Sequence, residues 1–330
     1  MIPDISKITI PDNRNKIIQF LDELIISPRT NLRRWSELTN QTPATKIGYI
    51  GQHLASLITG VPGTGSGARG DDLADHSEVK SCNKVDQVDK CKDCGSRVLR
   101  FQTHCPVCHS ANINRKNDSK WLFSPRSQEE LDQYLNLSRL VLILMDYPNF
   151  AKLDFSDIRI LAFEIYPREE RMSVFRRLIT HYYHNIYLPK HNDERGKTNP
   201  MNLHPLMFQF YKCNPIKTFE CIIHDIDSAP NIEINHYIEP STERGLSTPS
   251  VDMPSNLLST NEWEDLIDNC DYETEILPRL TGSKREPEFR SLSIKEQQKL
   301  LPYLDETLKA KVPLREIVGL RQTAVYRRSE

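Results

Sequence analysis

The side chains best suited to chemistry lie in residues 70–80, which read Gly-Asp-Asp-Leu-Ala-Asp-His-Ser-Glu-Val-Lys. Side chains along a strand alternate between its two faces, so Glu78 and Lys80 should project from the same side. If the chain reverses in a tight hairpin with its tip near Asp75, Asp72 lies opposite Glu78 and adds a second carboxylate to that face. The pattern therefore predicts a cluster of two carboxylates and one ammonium group.

Such a cluster is equipped to hydrolyse phosphodiester bonds. Carboxylate oxygens are preferred ligands of Mg²⁺, and the ammonium group of Lys80 could hold a water molecule or an anionic phosphate oxygen. We therefore expect Asp72 and Glu78 to bind Mg²⁺ and Lys80 to act on the attacking water. Because the pattern is short, the alternative is a solvated hairpin whose charges pair with one another at the surface.

A glycine-rich loop precedes the acidic hairpin at residues 61–70. Its glycines would let the backbone approach a bulky ligand closely. No Gly-Lys-Ser/Thr follows at the spacing of a Walker A loop, which disfavours a nucleoside triphosphate site. The sequence also shows no methyltransferase or helicase motif, so modification of DNA would need a separate protein.

Four cysteines form a second constellation, in which ten residues separate the pair Cys91 and Cys94 from the pair Cys105 and Cys108. Two Cys-x-x-Cys pairs at this spacing can present four thiolates to one tetrahedral ion, which predicts a zinc ribbon. The N-terminus shows no export signal, so we expect the chain in the reducing cytoplasm, where such pairs indicate a metal and not disulfides. A site closed by four thiolates is structural, which leaves the chemistry to Mg²⁺.

Charge is unevenly distributed along the 330 residues, although the formal net charge is only −2. Residues 80–122 carry nine Lys or Arg against four Asp, whereas residues 224–288 carry fifteen Asp or Glu against four Lys or Arg. The first region should attract phosphate groups and the second should repel them. In and beside the cysteine insert we expect DNA contacts from Lys84, Arg97, Arg100, Arg115, Lys116 and Asn117.

Hydrophobic periodicity and capping residues predict the elements that would position these side chains. We expect helices over residues 15–26, 45–59, 127–137 and 293–309, and strands over residues 139–147 and 158–166. The first helix should end at Ser27-Pro28. The longest apolar run, residues 140–145, is too short to cross a bilayer, so no membrane association is expected. The order of elements describes a mixed sheet flanked by helices.

These elements and motifs together resemble the PD-(D/E)XK nuclease fold, with a helix over residues 45–59, then Asp72 and Glu78-x-Lys80 on paired strands. The run Gly-Ala-Arg-Gly-Asp-Asp-Leu-Ala-Asp-His-Ser-Glu-Val-Lys-Ser is similar to type II restriction endonucleases with an inserted zinc ribbon, in particular the MamI-like group. The resemblance implies an α/β (α+β) fold with a zinc-ribbon insert and a helical C-terminal region. It also implies Mg²⁺-dependent, sequence-specific hydrolysis of double-stranded DNA that leaves 5′-phosphate ends.

The chain departs from the superfamily pattern in the helix over residues 45–59, where members often carry a Glu that supports the metal site. The matching place in this chain is occupied by Gln52. An amide can hydrogen-bond a metal-bound water but adds no charge, so the number of catalytic metals, one or two, stays open. Asp71 stays open as a rival to Asp72, although alternation prevents both from facing the same way.

These expectations divide the chain into a nuclease domain at residues 1–222 with the zinc-ribbon insert at 88–118, an acidic and partly irregular connection at 223–290, and a helical region at 291–330. Cutting both strands takes two active sites, which predicts a two-fold homodimer on a palindromic site. In a restriction-modification system, a separate methyltransferase would act on the same site. Two other classes stay open: a repair or structure-specific nuclease, and a non-enzymatic zinc-ribbon DNA-binding protein.

Overall fold

The structure, a computed structural model, describes residues 4–65, 71–192, 198–241 and 243–315. The α-helices are α1 (Asn13–Leu21), α2 (Ser27–Thr39), α3 (Ile47–Thr59), α4 (Gln128–Asn136), α5 (Val174–His181), α6 (Leu188–Asn192), α7 (Phe208–Lys212), α8 (Arg244–Ser247), α9 (Thr260–Asp268), α10 (Glu286–Arg290), α11 (Ile294–Leu300) and α12 (Glu306–Lys311). The strands are β1 (Ser77–Asn83), β2 (Asp89–Cys91), β3 (Arg97–Val98), β4 (Ile113–Asn114), β5 (Trp121–Phe123), β6 (Arg139–Asp146), β7 (Ile158–Ile165), β8 (Met201–Leu203), β9 (Ile216–His224), β10 (Asn231–Tyr237), β11 (Met253–Pro254) and β12 (Tyr303–Leu304). None of the described helices is long and apolar enough to cross a membrane.

The chain folds into two compact units that are both discontinuous in sequence. The first unit comprises the residues up to Trp121 together with Leu137–Glu164 and Lys217–Leu246. The second comprises Leu122–Asn136, Ile165–Ile216 and the residues from Ser247 onward. The predicted division of the chain into contiguous domains, with boundaries at residues 222 and 290, stays a prediction. Residues 223–290, expected to be partly irregular, contain strand β10 and the capped helix α9.

A five-stranded mixed sheet forms the centre of the first unit, with the order β1-β6-β7-β9-β10. Strand β1 runs parallel to β6, with Ser77 opposite Arg139, whereas β10 runs antiparallel to β9. All eight residues of β6 are buried, because neighbouring strands cover its edges and packed side chains cover its faces. This sheet and its flanking helices confirm the mixed fold expected from the sequence.

Helix α3 lies directly against β1, and a glycine makes this close approach possible. A Cβ atom added to Gly51 would lie 1.8 Å from the Oγ atom and 2.8 Å from the Cβ atom of Ser81. Leu54 and Ile58, on the same helix, pack into the main hydrophobic cluster beside β1 and β6. The helix ends at Gly60, which has a φ of +71°. The helix predicted over residues 45–59 is therefore confirmed.

Three prolines follow π-helical turns, a feature of the helices that the sequence interpretation missed. Pro28, Pro189 and Pro278 each stand two residues after a π-helical turn, which covers 22–26, 182–187 or 272–276. The N–H group of the residue before each proline bonds to the carbonyl five residues back. A proline cannot donate a backbone hydrogen bond and its ring crowds the preceding turn, so a wider turn accommodates it. The prediction that the first helix ends at Ser27-Pro28 was wrong, because the helical path continues to Thr39.

The C-terminal part of the second unit is helical, but not as one predicted helix. Ser293 and Glu296 form the expected capping box at the start of α11. The helix ends at Leu300, just before Pro302, and the short strand β12 separates it from α12. Residues 316–330, which belong to the predicted helical region, lie outside the described residues.

The contact between α3 and β1 can be tested with two glycines of one helix. Gly51→Ala should lower the free energy of unfolding by about 1 to 3 kcal/mol, because the added methyl group collides with Ser81. Gly48→Ala is the matched control, since its Cβ would meet no atom within 4 Å and the change favours the helix. Urea denaturation followed by circular dichroism measures both. Equal effects of the two substitutions would contradict the close packing.

Candidate active site and cysteine cluster

The acidic segment forms a tight hairpin with the predicted register. Leu73 and Ser77 pair in an antiparallel bridge, and the N–H groups of Asp72 and Leu73 both donate to the carbonyl oxygen of Ser77 at 3.1 Å. His76 has a φ of +62°, which lets the chain reverse between Leu73 and Ser77. The tip is thus centred near Asp75, and Asp72 comes to lie across from the start of β1.

Asp72 is held by two hydrogen bonds from different elements. The Nε2 atom of Gln52 on α3 donates to Oδ1 at 2.5 Å, and the backbone N–H of Val79 donates to Oδ2 at 2.8 Å. Each carboxylate oxygen keeps a lone pair beyond these bonds, so Asp72 can still ligate a cation. The structure therefore brings Gln52 and Asp72 together, as the sequence suggested.

Glu78 and Lys80 project from the same face of β1 and form an ion pair. Burial raises the pKa of both Glu78 and Asp72, and the negative charge of each nearby carboxylate adds to this effect, while Lys80 opposes it. A divalent cation would relieve the cost of holding two partly buried carboxylates near each other. The oxygen donors of Asp72 and Glu78 therefore suit Mg²⁺ in number and chemistry.

Asp71 faces a different partner from Asp72. Its Oδ2 atom lies 2.6 Å from the Nδ1 atom of His76, and its backbone carbonyl accepts a hydrogen bond from the hydroxyl of Thr64. Alternation of the side chains separates the two neighbouring aspartates, as expected. The geometry favours Asp72 over Asp71 as the ligand that accompanies Glu78.

A buried network of charges fixes the tip of the hairpin. The Nη2 atom of Arg139 lies 2.5 Å from Asp75, its Nε atom donates to the hydroxyl of Ser77 at 3.1 Å, and its Nη1 atom lies 3.5 Å from Glu164. Arg244 approaches the other oxygen of Glu164 at 3.4 Å. Both carboxylate side chains are 0% exposed, so the network joins the hairpin to β6 and β7 in a dry environment.

These positioning residues were missed by the sequence interpretation. Asp75 was treated only as a turn residue, although a carboxylate at a hairpin tip needs a partner if it is buried. Arg139 opens an otherwise apolar strand, Leu140 to Met145, and a charged residue beside such a run signals a buried ion pair. Neither signal identifies the partner, because the pairing depends on the parallel register of β1 and β6.

The four cysteines converge beside the small three-stranded sheet β3-β2-β4, with Cys91 at the end of β2 and the other three in turns. The Sγ atoms of Cys91, Cys94, Cys105 and Cys108 all lie within 4.8 Å of one another, with separations of 3.6 Å for Cys91 and Cys108 and 3.5 Å for Cys94 and Cys105. Thiolates around one tetrahedral zinc lie about 3.8 Å apart, given a Zn–S bond of about 2.3 Å. The separations are too long for disulfides, so the cluster fits a metal such as zinc.

Two equivalent turns shape this cysteine cluster. The N–H group of Gly95 donates to the carbonyl of Cys91, and the N–H group of His109 donates to the carbonyl of Cys105, both at 3.0 Å. Gly95 and His109 both have positive φ, at +76° and +58°. His109 therefore serves as a turn residue, and its exposed side chain is not part of the cluster.

A second buried carboxylate, Asp89 on β2, holds the cysteine insert together. Arg100 lies 3.1 Å and Arg115 2.9 Å from its carboxylate oxygens, and the backbone N–H of Lys116 donates to it at 2.7 Å. Arg100 is only 3% exposed, and burial lowers its pKa. Its guanidinium also lies 4.9 Å from the ring of Phe155. Arg100 and Arg115 thus serve the interior of the insert.

The other predicted DNA contacts lie nearer the surface. Arg97, Lys116 and Asn117 are exposed, and Lys84 is half-buried just after β1. Lys116 makes a surface ion pair with Asp118 at 3.4 Å, which is weak and exchangeable. An anionic partner could reach these four side chains without disturbing a buried contact, whereas Arg100 and Arg115 would first have to leave Asp89.

Comparison with known proteins identifies the class to which this fold and site belong. Residues 34–256 match the family model of the MamI restriction endonuclease, so the chain belongs to the MamI restriction endonuclease family. It is similar to the type II restriction enzyme MamI of Microbacterium ammoniaphilum, with 30% identity over 176 residues. The match covers 53% of this chain and 48% of that enzyme, so it spans about half the length of each. No solved structure matches the chain significantly.

The cysteine cluster predicts one zinc ion per chain, measurable by elemental mass spectrometry of the purified protein. Cys105→Ser should remove most of the zinc, because it deletes one of four thiolate ligands. Cys221→Ser is the matched control, since this buried cysteine lies on β9, outside the cluster. Equal zinc content in the two variants would rule out the assignment.

The paired carboxylates predict a pH-dependent stability. Because the folded-state pKa of Asp72 and Glu78 is raised, their ionisation opposes folding, so this contribution to stability falls as pH rises from about 4 through the folded-state pKa. At neutral pH, without added divalent ions, Asp72→Asn/Glu78→Gln should therefore unfold at higher urea concentration than the wild type. The difference should vanish near pH 4.

Magnesium should reverse this order of stability and make the wild type more stable than the double variant. At a hundred times its dissociation constant, Mg²⁺ should stabilise the wild type by about 2.7 kcal/mol and leave the double variant unchanged. The same urea titrations, repeated with added Mg²⁺, measure this effect. Equal stabilisation of both proteins would show that the ion binds elsewhere.

Proposed function

We propose that this protein is a type II restriction endonuclease that hydrolyses double-stranded DNA at a specific sequence with the help of Mg²⁺. The observation that carries the proposal is the convergence of Asp72, Glu78 and Lys80 on one face of the hairpin and β1, with Gln52 bonded to Asp72. Membership of the MamI restriction endonuclease family supports the same activity.

The side chains of the site have distinct roles in the proposed reaction. Mg²⁺ held by Asp72 and Glu78 would polarise the scissile phosphate and lower the pKa of the attacking water. The ammonium group of Lys80 would position that water, whose proton passes to the surrounding solvent, while Gln52 would fix the orientation of the Asp72 carboxylate. Attack of water on phosphorus breaks the bond to the 3′ oxygen, which leaves a 5′-phosphate and a 3′-hydroxyl.

The cysteine insert has a structural role and a binding role in this proposal. A zinc ion bound by its four thiolates would hold the insert rigid without taking part in the chemistry. The exposed side chains Arg97, Lys116 and Asn117, together with Lys84, are proposed to contact DNA. Arg100 and Arg115, which bind Asp89, are proposed to support that surface from below.

The proposal includes partners that follow from cutting both strands. A homodimer would place two hairpins on a palindromic site, and a separate methyltransferase would protect the same sequence in the host. The four thiolates of the cysteine cluster suit a reducing compartment, so we place the enzyme in the cytoplasm.

Cleavage of phage DNA tests the proposed activity. With Mg²⁺ the wild type should give discrete fragments, and EDTA should abolish them. Lys80→Ala should reduce cleavage by at least about 100-fold, because it removes a group that acts on the attacking water, but it should retain DNA binding. Gel electrophoresis and a mobility-shift assay measure the two properties.

Lys217→Ala is the matched control for this experiment. Lys217 pairs with Glu220 on β9, so the change removes a lysine from a similar ion pair elsewhere in the same sheet. The Lys217→Ala variant should cleave DNA at the wild-type rate. Undiminished cleavage by Lys80→Ala would overturn the assignment of the site, and random degradation or nicking restricted to junctions would favour a repair nuclease.

A further inference from the structure

A long helical rod in the second unit has no role in the chemistry described above. Helix α5, the π-helical turn at 182–187 and helix α6 follow one another without a break, because the cap N–H groups of Tyr182 and Leu188 still bond to carbonyls of the preceding turn. The rod contains 19 residues, from Val174 to Asn192, and at about 1.5 Å per residue it extends for about 28 Å. This length is comparable to one turn of a DNA duplex.

One side of the rod is firmly attached to the second unit. Six of its side chains are buried: Phe175, Leu178, Ile179, Tyr182, Tyr183 and Ile186. The ring of Phe175 lies 5.2 Å from that of Phe123, and the hydroxyl of Tyr182 donates to the carbonyl of Asn199 at 2.9 Å. The orientation of the opposite side is therefore fixed by packing.

The opposite side of the rod is strongly positive in composition. Residues 171–192 contain three Arg, one Lys and three His but no Asp or Glu, in a chain with 45 acidic residues out of 330. The exposed positions carry Arg176, Arg177, His184, Asn185, Pro189 and His191. A surface helix more commonly mixes both signs of charge, because the mixture gives favourable pairs along the helix.

The two arginines of this side are uncompensated. Arg176 and Arg177 form no ion pair with any residue in the described part of the chain, whereas Arg100, Arg139 and Arg244 all face carboxylates. An arginine held on a fixed helix without a carboxylate partner is ready to bind an external anion.

A column of stacked rings stiffens the end of the rod. Tyr183 and Tyr187 stack at 5.7 Å with an interplanar angle of 16°, and Tyr187 and His191 stack at 5.3 Å with an angle of 13°. The column leads from the buried Tyr183 to the exposed His191. The imidazole is thereby held in place as a further hydrogen-bonding group at the exposed end.

We propose that the α5–α6 rod is a second DNA-contacting surface, which lays Arg176 and Arg177 against the phosphates of a duplex. Charge complementarity selects this partner, because a duplex presents a regular array of phosphates over the length of the rod. The inference rests on the proposed function for its choice of DNA. It adds a binding surface that lies apart in sequence from the hairpin and the cysteine insert.

The salt dependence of binding tests the role of the two arginines. The protein, with no Mg²⁺ added, binds a fluorescein-labelled duplex of mixed sequence, and anisotropy gives the dissociation constant between about 50 and about 200 mM salt. The slope of log K against log salt should become shallower by about 2 in Arg176→Ala/Arg177→Ala, since each lost phosphate contact changes it by about 1. Arg176→Lys/Arg177→Lys should restore the slope.

Two comparisons make the result decisive. Lys295→Ala/Lys299→Ala removes the same charge from exposed positions of α11 in the second unit and should leave the slope unchanged. An unchanged slope in the arginine variant, an equal change in both double variants, or the absence of duplex binding by the wild type would overturn the proposal. Binding is measured without Mg²⁺, so a wild type that binds as expected but fails to cut with Mg²⁺ would overturn only the nuclease assignment.

Discussion

The guanidinium group of Arg139 is the constraint on which the candidate active site depends. It stands at the start of β6, opposite Ser77 in the parallel register, and it binds Asp75 at the tip of the hairpin. A one-residue slip of this hairpin would turn Asp72 away from Glu78, because side chains alternate along a strand. Removing a partner from a buried ion pair leaves an uncompensated charge in a dry environment, so the network disfavours other registers. Glu164 and Arg244 extend the same network to β7 and to the segment after β10.

Buried carboxylates bind arginines at two other places in the first unit. Asp89 holds Arg100 and Arg115 inside the cysteine insert, and Asp86, between β1 and β2, binds Arg29 at 2.8 Å and accepts a hydrogen bond from Tyr147. The basic side chains of residues 80–122 therefore divide into two groups. Those facing a buried carboxylate provide cohesion, while those on the surface are available to phosphate. Sequence composition shows the excess of positive charge but cannot make this division.

Local signals explain what the sequence could predict. Three features depend only on residues close together in sequence: the alternation of Asp72, Glu78 and Lys80, the spacing of the four cysteines and the periodicity of α3. The structure has the hairpin, the cysteine cluster and the helix that these features predict. The burial of Arg100 depends on Asp89, eleven residues away, and that of Arg139 on a hairpin more than sixty residues earlier. Pro28 also misled the interpretation, because a π-helical turn can carry a helix past a proline. Non-local pairing and adaptable backbone geometry thus set the limit of prediction.

The neutral amide of Gln52 bears on the number of metal ions at the site. Asp72 and Glu78 together offer two negative charges, one of which already pairs with Lys80, so these side chains cannot neutralise more than one divalent cation. Gln52 cannot add a third charge, and its amide nitrogen is occupied in donating to Asp72. A second divalent ion would therefore have to rely on the phosphate oxygens of bound DNA for its remaining charge. The electrostatics of the protein alone favour a single Mg²⁺, with Gln52 acting on the orientation of its aspartate ligand.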